Sequence, residues 1–266
     1  MTTMRQSKFL ILFVLLLLFG VLFCFLSDNG NSQQNFWEKP SVVPLQGPEV
    51  FQPGETIKYD IKTLGVKAGE ATLKFKGLQK FAGKDAYLVV FVATSANFFD
   101  EEKIYADPEG FYPLAVIRDL NIWGKKEKIT ELYNREKGII KITKLSHNKT
   151  TEEVIKKEGP IDNIYCFIYR YRKTGQFNMG DALSIHLPTK DVMINLVKMA
   201  TLSAAGNKYE AYFMQSDPAK YKVWFDTSIH KIPLRINGAV GINDTALVMT
   251  EYQPAENNKS NDKEAQ

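Results

Sequence analysis

The sequence predicts a mainly β protein with one antiparallel sheet system and a single helix. Short stretches of alternating apolar and polar residues recur from Gly54 onward between turns that contain glycine or proline, a pattern typical of half-buried strands. One segment, beginning at Ile161, instead has the spacing of an amphipathic helix. Because strands precede and follow this helix without regular strand–helix alternation, a sheet of βαβ units is not expected.

Composition bounds the class of protein. The chain has 266 residues, and 12% of them are aromatic, so it can bury a sizeable core. Its formal net charge is only +4, which gives nucleic acid little attraction, and no nucleic-acid partner is expected. Cys24 lies in an apolar run far from Cys166, so no disulfide is predicted.

Residues 1–27 are predicted to be a signal anchor or a signal peptide. Two basic residues precede the unbroken apolar run Phe9–Leu26, whose length is near the minimum for a transmembrane helix. The positive-inside rule then places the N-terminus in the cytoplasm and the rest of the chain outside it.

Cleavage after this run is less favoured than retention. A signal peptidase site needs small residues, and bulky Phe25 stands two residues before Ser27. Lipidation needs a small residue before the cysteine, and Phe23 precedes Cys24. An uncleaved anchor is therefore favoured, with cleavage near Ser27 and lipidation of Cys24 as alternatives.

Three regions follow the apolar run. Residues 28–53 are polar and contain four prolines, which disfavour helix and central strand, so they are predicted to be an extended linker. Residues 54–253 are predicted to be a β-rich exported domain. Residues 254–266 are short and polar and are predicted to be a disordered tail.

The exported region begins with a predicted hairpin. Ile57, Tyr59 and Ile61 alternate with polar residues, Gly65 and Gly69 bracket a turn, and alternation then resumes over 71–75. Further strands are predicted at 86–95, 111–118, 127–134, 138–143, 151–156, 182–187, 192–200, 209–214, 221–225, 232–236 and 246–252.

Between two of these strands lie an acidic run and a turn. The run Asp100–Glu102 has the residue types of a cation site, but a solvated loop is the favoured interpretation. The segment Asp107–Gly110 carries proline at its second position and glycine at its fourth, which predicts a β-turn.

The single helix is predicted from Ile161 to Arg172, where apolar residues recur at a spacing of three and four. Asp162 suits the N-cap, and Gly175 suits the end. We expect this helix to cover an open end or face of the sheet, with its basic residues on the solvent side.

Three blocks in order resemble the DUF3108 family of bacterial envelope proteins over roughly residues 50–253. The blocks are Gly54-Glu55…Tyr59…Leu64-Gly65-Val66-Lys67-Ala68-Gly69-Glu70-Ala71, Asp162…Tyr165…Tyr169-Arg170…Gly180-Asp181, and Val223-Trp224-Phe225-Asp226…Ile232-Pro233-Leu234-Arg235-Ile236…Gly241. The resemblance implies a strongly curved antiparallel sheet that rolls into a partly open barrel. It also implies a bacterial envelope location. Together with the predicted anchor, this predicts a protein of the bacterial inner membrane with its domain in the periplasm, or a periplasmic protein if the signal is cleaved. It supplies no substrate and no catalytic residues.

No catalytic, metal or cofactor signature is visible. His147, His186 and His230 are scattered rather than spaced as metal ligands, and no Gly-x-Ser-x-Gly, phosphate-binding or dinucleotide motif occurs. We therefore predict no metal, no cofactor and no catalytic residue. Paired carboxylates of the glycosidase kind can still assemble in space from distant positions.

Four residues are the candidate ligand-binding set: Arg170, Tyr169, Tyr165 and Trp224. Arg170 is flanked by tyrosines, and a guanidinium in that setting can stack on aromatic rings or hold an anionic group. The competing interpretation is structural, with Trp224 and Tyr59 as core aromatics.

The favoured hypothesis is a noncatalytic envelope module that binds a lipid, a glycan or an envelope protein and is held at the inner membrane by Phe9–Leu26. It predicts an apolar groove between the sheet and the helix. The alternative is an envelope hydrolase or isomerase that uses carboxylates in a barrel-mouth pocket. A structural or assembly role is a third hypothesis, for which a broad exposed apolar patch would be the sign.

Overall fold

A computed structural model describes residues 50–174, 177–180, 182–238 and 245–255, all within one compact unit that spans 41–266. The segment 1–27, most of 28–53 and most of 254–266 lie outside the described residues, as do Gly175, Asp181 and Gly241. Across the described ranges, every helix is too short or too polar to cross a bilayer. The anchor over Phe9–Leu26 therefore stays a prediction.

The described residues form fourteen strands and one helix. The strands are β1 (Thr56–Thr63), β2 (Val66–Phe81), β3 (Lys84–Ser95), β4 (Phe98–Ala106), β5 (Pro113–Ile122), β6 (Lys125–Asn134), β7 (Ile139–Ser146), β8 (Lys149–Lys156), β9 (Ala182–Leu187), β10 (Lys190–Ala204), β11 (Asn207–Asp217), β12 (Lys222–Asp226), β13 (Pro233–Asn237) and β14 (Thr245–Gln253). The helix α1 (Ile164–Thr174) connects β8 to β9.

All strands belong to one antiparallel sheet with the order β8-β7-β6-β5-β4-β3-β2-β1-β14-β13-β12-β11-β10-β9. Two meanders, β1–β8 and β9–β14, are joined where β1 pairs with β14. The two edge strands, β8 and β9, do not pair with each other, so the sheet is not closed. The prediction of a mainly β fold with one large antiparallel sheet and one helix is confirmed.

The sheet curves around α1. Tyr165 of the helix stacks on Phe91 of β3, with 4.7 Å between the ring centroids, while Tyr171 lies 5.8 Å from Phe225 of β12. These strands belong to opposite meanders, so one helix fills the hollow between them. Burial of its aromatic side chains is a main source of stability in this core.

The helix is more deeply buried than expected. Cys166, Ile168, Tyr169 and Arg172 have no exposed surface. The expectation that the basic residues of this helix face solvent is therefore wrong for Arg172. The physical reason is that a sheet which wraps a helix leaves only a small part of it in contact with solvent, and a buried guanidinium is tolerated when a carboxylate pairs with it.

Each predicted strand overlaps an observed one, but β4 was missed. Its sequence, Phe98–Ala106, has acidic residues where an inward apolar pattern is expected. Asp100, Ile104 and Ala106 are nonetheless buried, at 2%, 0% and 0% exposure. The expectation of a solvated loop over Asp100–Glu102 is thus wrong, because tertiary partners offset the cost of burying the charges.

The first hairpin also differs in detail. Leu64 and Gly65 form its two-residue turn with φ of 51° and 83°, and Thr63 pairs with Val66. Gly69 lies inside β2 instead of bounding the turn. An added Cβ there would lie 2.3 Å from the carbonyl oxygen of Thr94, so close approach of backbone explains this glycine.

Candidate functional site

The start of α1 is set by two adjacent polar residues. Asn163 Oδ1 accepts the backbone N–H groups of Tyr165 at 2.8 Å and Cys166 at 3.4 Å, so Asn163 is the N-cap. Asp162, the predicted N-cap, instead accepts the N–H of Asn163 and pairs with Arg170. The prediction was one residue early.

Arg170 lies at a polar and aromatic junction on one side of the helix. Its guanidinium pairs with buried Asp162, donates to the carbonyl oxygen of Phe111 at 3.3 Å and stacks 4.0 Å from the ring centroid of Tyr112. Arg135 covers the same ring at 3.9 Å. Burial raises the pKa of Asp162, an effect that Arg170 opposes.

Arg172 forms a closed pair at the other side of the helix. Its two terminal nitrogens donate to the two carboxylate oxygens of Glu55, each at 2.8 Å, and its Nε donates to the carbonyl oxygen of His230 at 3.1 Å. Tyr252 Oη donates to the same carboxylate at 3.2 Å. A bidentate pair with these extra hydrogen bonds ties α1 to the start of β1.

Three of the four predicted binding residues lie on α1, but their side chains pack against different residues. Tyr165, Tyr169 and Arg170 all project from α1, although both tyrosines are at most 1% exposed and pack in the core. Tyr169 stacks on Phe111 with 5.4 Å between centroids. These contacts describe a structural role for Tyr169, and a binding role for it stays a prediction.

Trp224 lies elsewhere. It is partly exposed on β12, stacks on Phe213 at 4.6 Å and lies 5.2 Å from the guanidinium of Arg235. Its neighbours Val223 and Phe225 are buried, so Trp224 faces the outer side of the sheet. Trp224 is only partly buried where it packs against the core, whereas the interpretation of Tyr59, which is 1% exposed, as a core aromatic is confirmed.

A cleft separates α1 from the edge strand β9. It has a volume of about 230 Å³. Its apolar walls include Phe167 and Leu183, and Arg170 and Tyr112 supply polar groups. The cleft lies where the sequence predicted a groove between the helix and the sheet.

A second polar region lies on the inner face of the β1–β8 meander. Glu102 of β4 is directly opposite Phe91 of β3 and Arg118 of β5, and residues opposite each other in a sheet share a face. Asp100 precedes Glu102 by two residues and therefore points to the same side. On β6, Glu131 is opposite Val116, two residues from Arg118.

We call Asp100, Glu102, Arg118 and Glu131 the inner carboxylate cluster. Arg118 donates to both oxygens of Asp100, at 2.7 and 2.5 Å, and its Nε lies 3.5 Å from a carboxylate oxygen of Glu102. Glu131 accepts a hydrogen bond from Tyr133 Oη. One guanidinium thus serves two carboxylates directly, and it serves Asp100 best.

Two carboxyl groups of the cluster, those of Glu102 and Glu131, have raised pKa values. Burial raises the pKa of Glu102 to about 7, and the charges of Asp100 and Glu131 add to the effect while Arg118 opposes it. Burial also raises the pKa of Glu131. A buried carboxyl that titrates near neutral pH is a functional-site candidate on physical grounds.

Tyr165 lies close to this cluster, because its ring stacks on Phe91, which is directly opposite Glu102 in the sheet. Tyr165 is 1% exposed, and its Oη has no hydrogen-bond partner among the described residues. Burial raises the pKa of Tyr165, and the charges of Glu102 and Asp100 raise it further. A buried hydroxyl without a partner is costly, so it calls for an explanation.

Sequence reasoning missed the cluster because its members come from three strands. One signal was present: Phe98, Asp100, Glu102 and Ile104 alternate with the period of a strand. Within the described ranges, no group of three or more His, Cys, Asp or Glu residues has the arrangement of a metal site.

Comparison with known proteins identifies a family. The family described as a protein of unknown function, DUF3108, matches residues 58–250, which is the greater part of the chain. No curated protein matches the sequence.

Three solved structures share a distant likeness. A β-barrel-like protein of the domain of unknown function DUF1849 from Brucella abortus is 8% identical, with a TM-score of 0.43, over 78% of this chain and 100% of that chain. A proposed lipoprotein from Parabacteroides distasonis is 10% identical, with a TM-score of 0.30, over 77% and 98%. A proposed exported protein with a YmcC-like fold from Bacteroides fragilis is 9% identical, with a TM-score of 0.29, over 76% and 97%.

Proposed function

The chain belongs to the DUF3108 family, and from that premise we propose that it is a noncatalytic binding module of the bacterial envelope. In this proposal Phe9–Leu26 anchors it in the inner membrane and the β domain lies in the periplasm, or is free there if the signal is cleaved. The observation that carries the proposal is the cleft between α1 and β9. Its ligand is a lipid with an acidic headgroup, in preference to a glycan or an envelope protein.

The walls of the cleft support an apolar ligand portion. Phe167, Leu183 and Ile185 present hydrocarbon surface to it, and its volume of about 230 Å³ is below that of a typical small-molecule site. A cleft of this size accommodates part of an acyl chain rather than a whole lipid.

The charge at the rim supports an acidic headgroup. Arg170 is paired with Asp162, but Arg135, on the other side of the Tyr112 ring, forms no ion pair with any described residue. The two guanidiniums and one carboxylate leave a local charge of +1. A phosphate or carboxylate headgroup would complete the set, because guanidinium binds both in a forked geometry.

The lining of the cleft supports binding without catalysis. Its described polar groups are the hydroxyls of Tyr112, Tyr171, Thr174 and Ser184 and the guanidinium of Arg170. None of these described lining residues carries a carboxylate or an imidazole that could act as a general base at neutral pH.

Native mass spectrometry of the full chain, purified from membranes in mild detergent, tests the proposal. We expect a co-purifying anionic lipid, lost in Leu183→Trp because the indole fills the cleft, and reduced several-fold in Arg135→Gln. Met193→Trp is the matched control, since Met193 is 49% exposed on the neighbouring strand β10. Lipid bound equally by all variants, or by none including the parent chain, would overturn it.

A second candidate function, an envelope hydrolase or isomerase, is favoured by one observation. Asp100 and Glu102 converge on Arg118 on the inner face, and Glu102 has a pKa of about 7, which suits a general acid. If the chain turns over envelope glycans or esters, Glu102→Gln and Glu131→Gln should each abolish turnover and Leu183→Trp should not. Turnover that survives both carboxylate substitutions would refute this candidate.

A further inference from the structure

The inner carboxylate cluster has more negative than positive charge. In the described part of the chain, Arg118 is the one cation among three carboxylates, since it pairs with Asp100 and Glu102 and not with Glu131, so the fully ionised cluster has a net charge of −2. The next cation on this face, Lys144, is 2.7 Å from Glu127 and is neutralised by it. Among the described residues, no cation besides Arg118 pairs with these three carboxylates.

Tyr165 supplies an independent sign that the cluster receives a ligand. Its ring stacks on Phe91, with 4.7 Å between the centroids, and Phe91 is directly opposite Glu102 in the sheet. The buried hydroxyl of Tyr165 has no hydrogen-bond partner within the described ranges. A hydroxyl without a partner can accept a hydrogen bond from a donor group that the carboxylates attract.

We infer that the inner carboxylate cluster binds the ammonium group of a primary amine. This site is distinct from the α1–β9 cleft, and the inference does not depend on the lipid proposal. An ammonium group has one positive charge and three N–H donors and accepts no hydrogen bond. Glu102, Glu131 and the hydroxyl of Tyr165 provide three acceptors.

The site is reachable from solvent. The side chain of Glu102 is 13% exposed and that of Arg118 is 31% exposed, although Asp100 beneath them is only 2% exposed. An amine can therefore approach past Arg118 without unfolding the sheet. Asp100, which Arg118 already holds through two hydrogen bonds, sets the position of that guanidinium and leaves Glu102 for the ligand.

The protonation of Glu102 links binding to pH. The charged or titratable groups that face it are Asp100 on β4, Arg118 on β5, Glu131 and Tyr133 on β6, and Tyr165 on α1. Because the pKa of Glu102 is about 7, its carboxylate is mostly ionised at about pH 8 and mostly protonated at about pH 5.5. An alkylammonium stays charged at both values, so binding should weaken at least about tenfold at the lower pH.

Calorimetric titration of the full chain in mild detergent with butylammonium tests the inference. We expect binding at about pH 8 that Glu102→Gln weakens by about 10- to 100-fold, since a charge-assisted hydrogen bond is lost. Glu127→Gln is the matched control, because Glu127 lies on the same face but pairs with Lys144, and it should change binding less than about twofold. Butanol, which has the same chain without the charge, should not bind.

Tyr165→Phe provides a second test if Glu102→Gln fails to fold. It keeps the ring stack and removes only the acceptor, so binding should weaken several-fold while the fold is retained. The inference is overturned if butylammonium does not bind at millimolar concentration, if butanol binds equally, or if binding is the same at the two pH values. These results leave the lipid proposal untouched, because that proposal is tested by Leu183→Trp.

Discussion

The two ends of α1 meet buried charge in opposite ways. Toward its C-terminus, Arg172 and Glu55 are 0% and 1% exposed and form a bidentate pair, with Tyr252 and the carbonyl of His230 completing the set. Toward its N-terminus, Tyr165 lies over a cluster in which one guanidinium serves an excess of carboxylates. The same helix thus carries one satisfied polar network and one unsatisfied one.

The difference separates what holds the fold from what is available to a ligand. In the Glu55–Arg172 pair the charges cancel and both charged groups have hydrogen-bond partners, so a charged ligand has no charge to balance there. The hydroxyl of Tyr169, whose ring lies 5.1 Å from the Arg172 guanidinium, has no described partner, so the difference between the two regions is one of charge. In the inner carboxylate cluster the charges do not cancel and Tyr165 Oη has no described partner. Unbalanced buried charge costs free energy, and binding that restores the balance recovers it.

Breaking the Glu55–Arg172 pair should change the free energy of unfolding more than any substitution in the inner carboxylate cluster. Arg172→Gln leaves the carboxylate of Glu55 buried without its cation, and we expect the free energy of unfolding to fall by about 3–5 kcal/mol. Urea unfolding of the full chain in mild detergent measures this change. Lys58→Gln is the control, because Lys58 and Glu251 are each 45% exposed, and solvent screening should leave their pair with far less effect on stability. If the two variants lose equal stability, the Glu55–Arg172 pair does not lock the helix to β1.

In the inner carboxylate cluster, removing a charge is expected to raise the free energy of unfolding instead of lowering it. The pKa of Glu102 is raised from 4.5 to about 7 in the folded state, so its contribution to stability is full below pH 4.5 and is lost as pH rises through about 7. Glu102→Gln has no group that ionises at this position, so it should be more stable than the parent chain at about pH 8 by up to about 3 kcal/mol, and about as stable as the parent chain at about pH 4.5. Urea unfolding curves of both proteins at about pH 8 and about pH 4.5 measure this difference. A variant that is less stable at the higher pH would show that the ionised carboxylate is well solvated or paired.

The smallest expected stability difference is between two tyrosine variants, Tyr59→Phe and Tyr165→Phe. Tyr59 Oη donates to the carbonyl oxygen of Pro233 at 3.0 Å, whereas Tyr165 Oη has no described partner. Tyr59→Phe should therefore destabilise the fold by about 1 kcal/mol, and Tyr165→Phe should leave stability unchanged or raise it by about 1 kcal/mol. Thermal unfolding of both variants measures the contrast. Equal losses would mean that Tyr165 has a polar partner in solution.

Patterns that depend on neighbours in the chain are readable in the amino-acid sequence. The alternation in Ile57, Tyr59 and Ile61 predicted β1, and the spacing from Ile161 to Arg172 predicted α1, because each periodicity places apolar groups on one face. The groove beside the helix was also anticipated, with Arg170 on its wall. The partial exposure of Trp224 was not predicted, because periodicity shows that a residue alternates with its neighbours but does not show which face of the strand is the inner one.

Local elements, fold class and family follow from the amino-acid sequence alone. Three further features emerge only from the folded arrangement: Asp100 and Glu102 are strand residues that face inward, Arg172 is buried against Glu55, and Tyr165 meets a carboxylate cluster. The reason is physical, because periodicity is a property of adjacent residues, whereas the free energy of a buried charge depends on partners far along the chain. Glu55 and Arg172 are 117 positions apart, and no local pattern indicates that they meet.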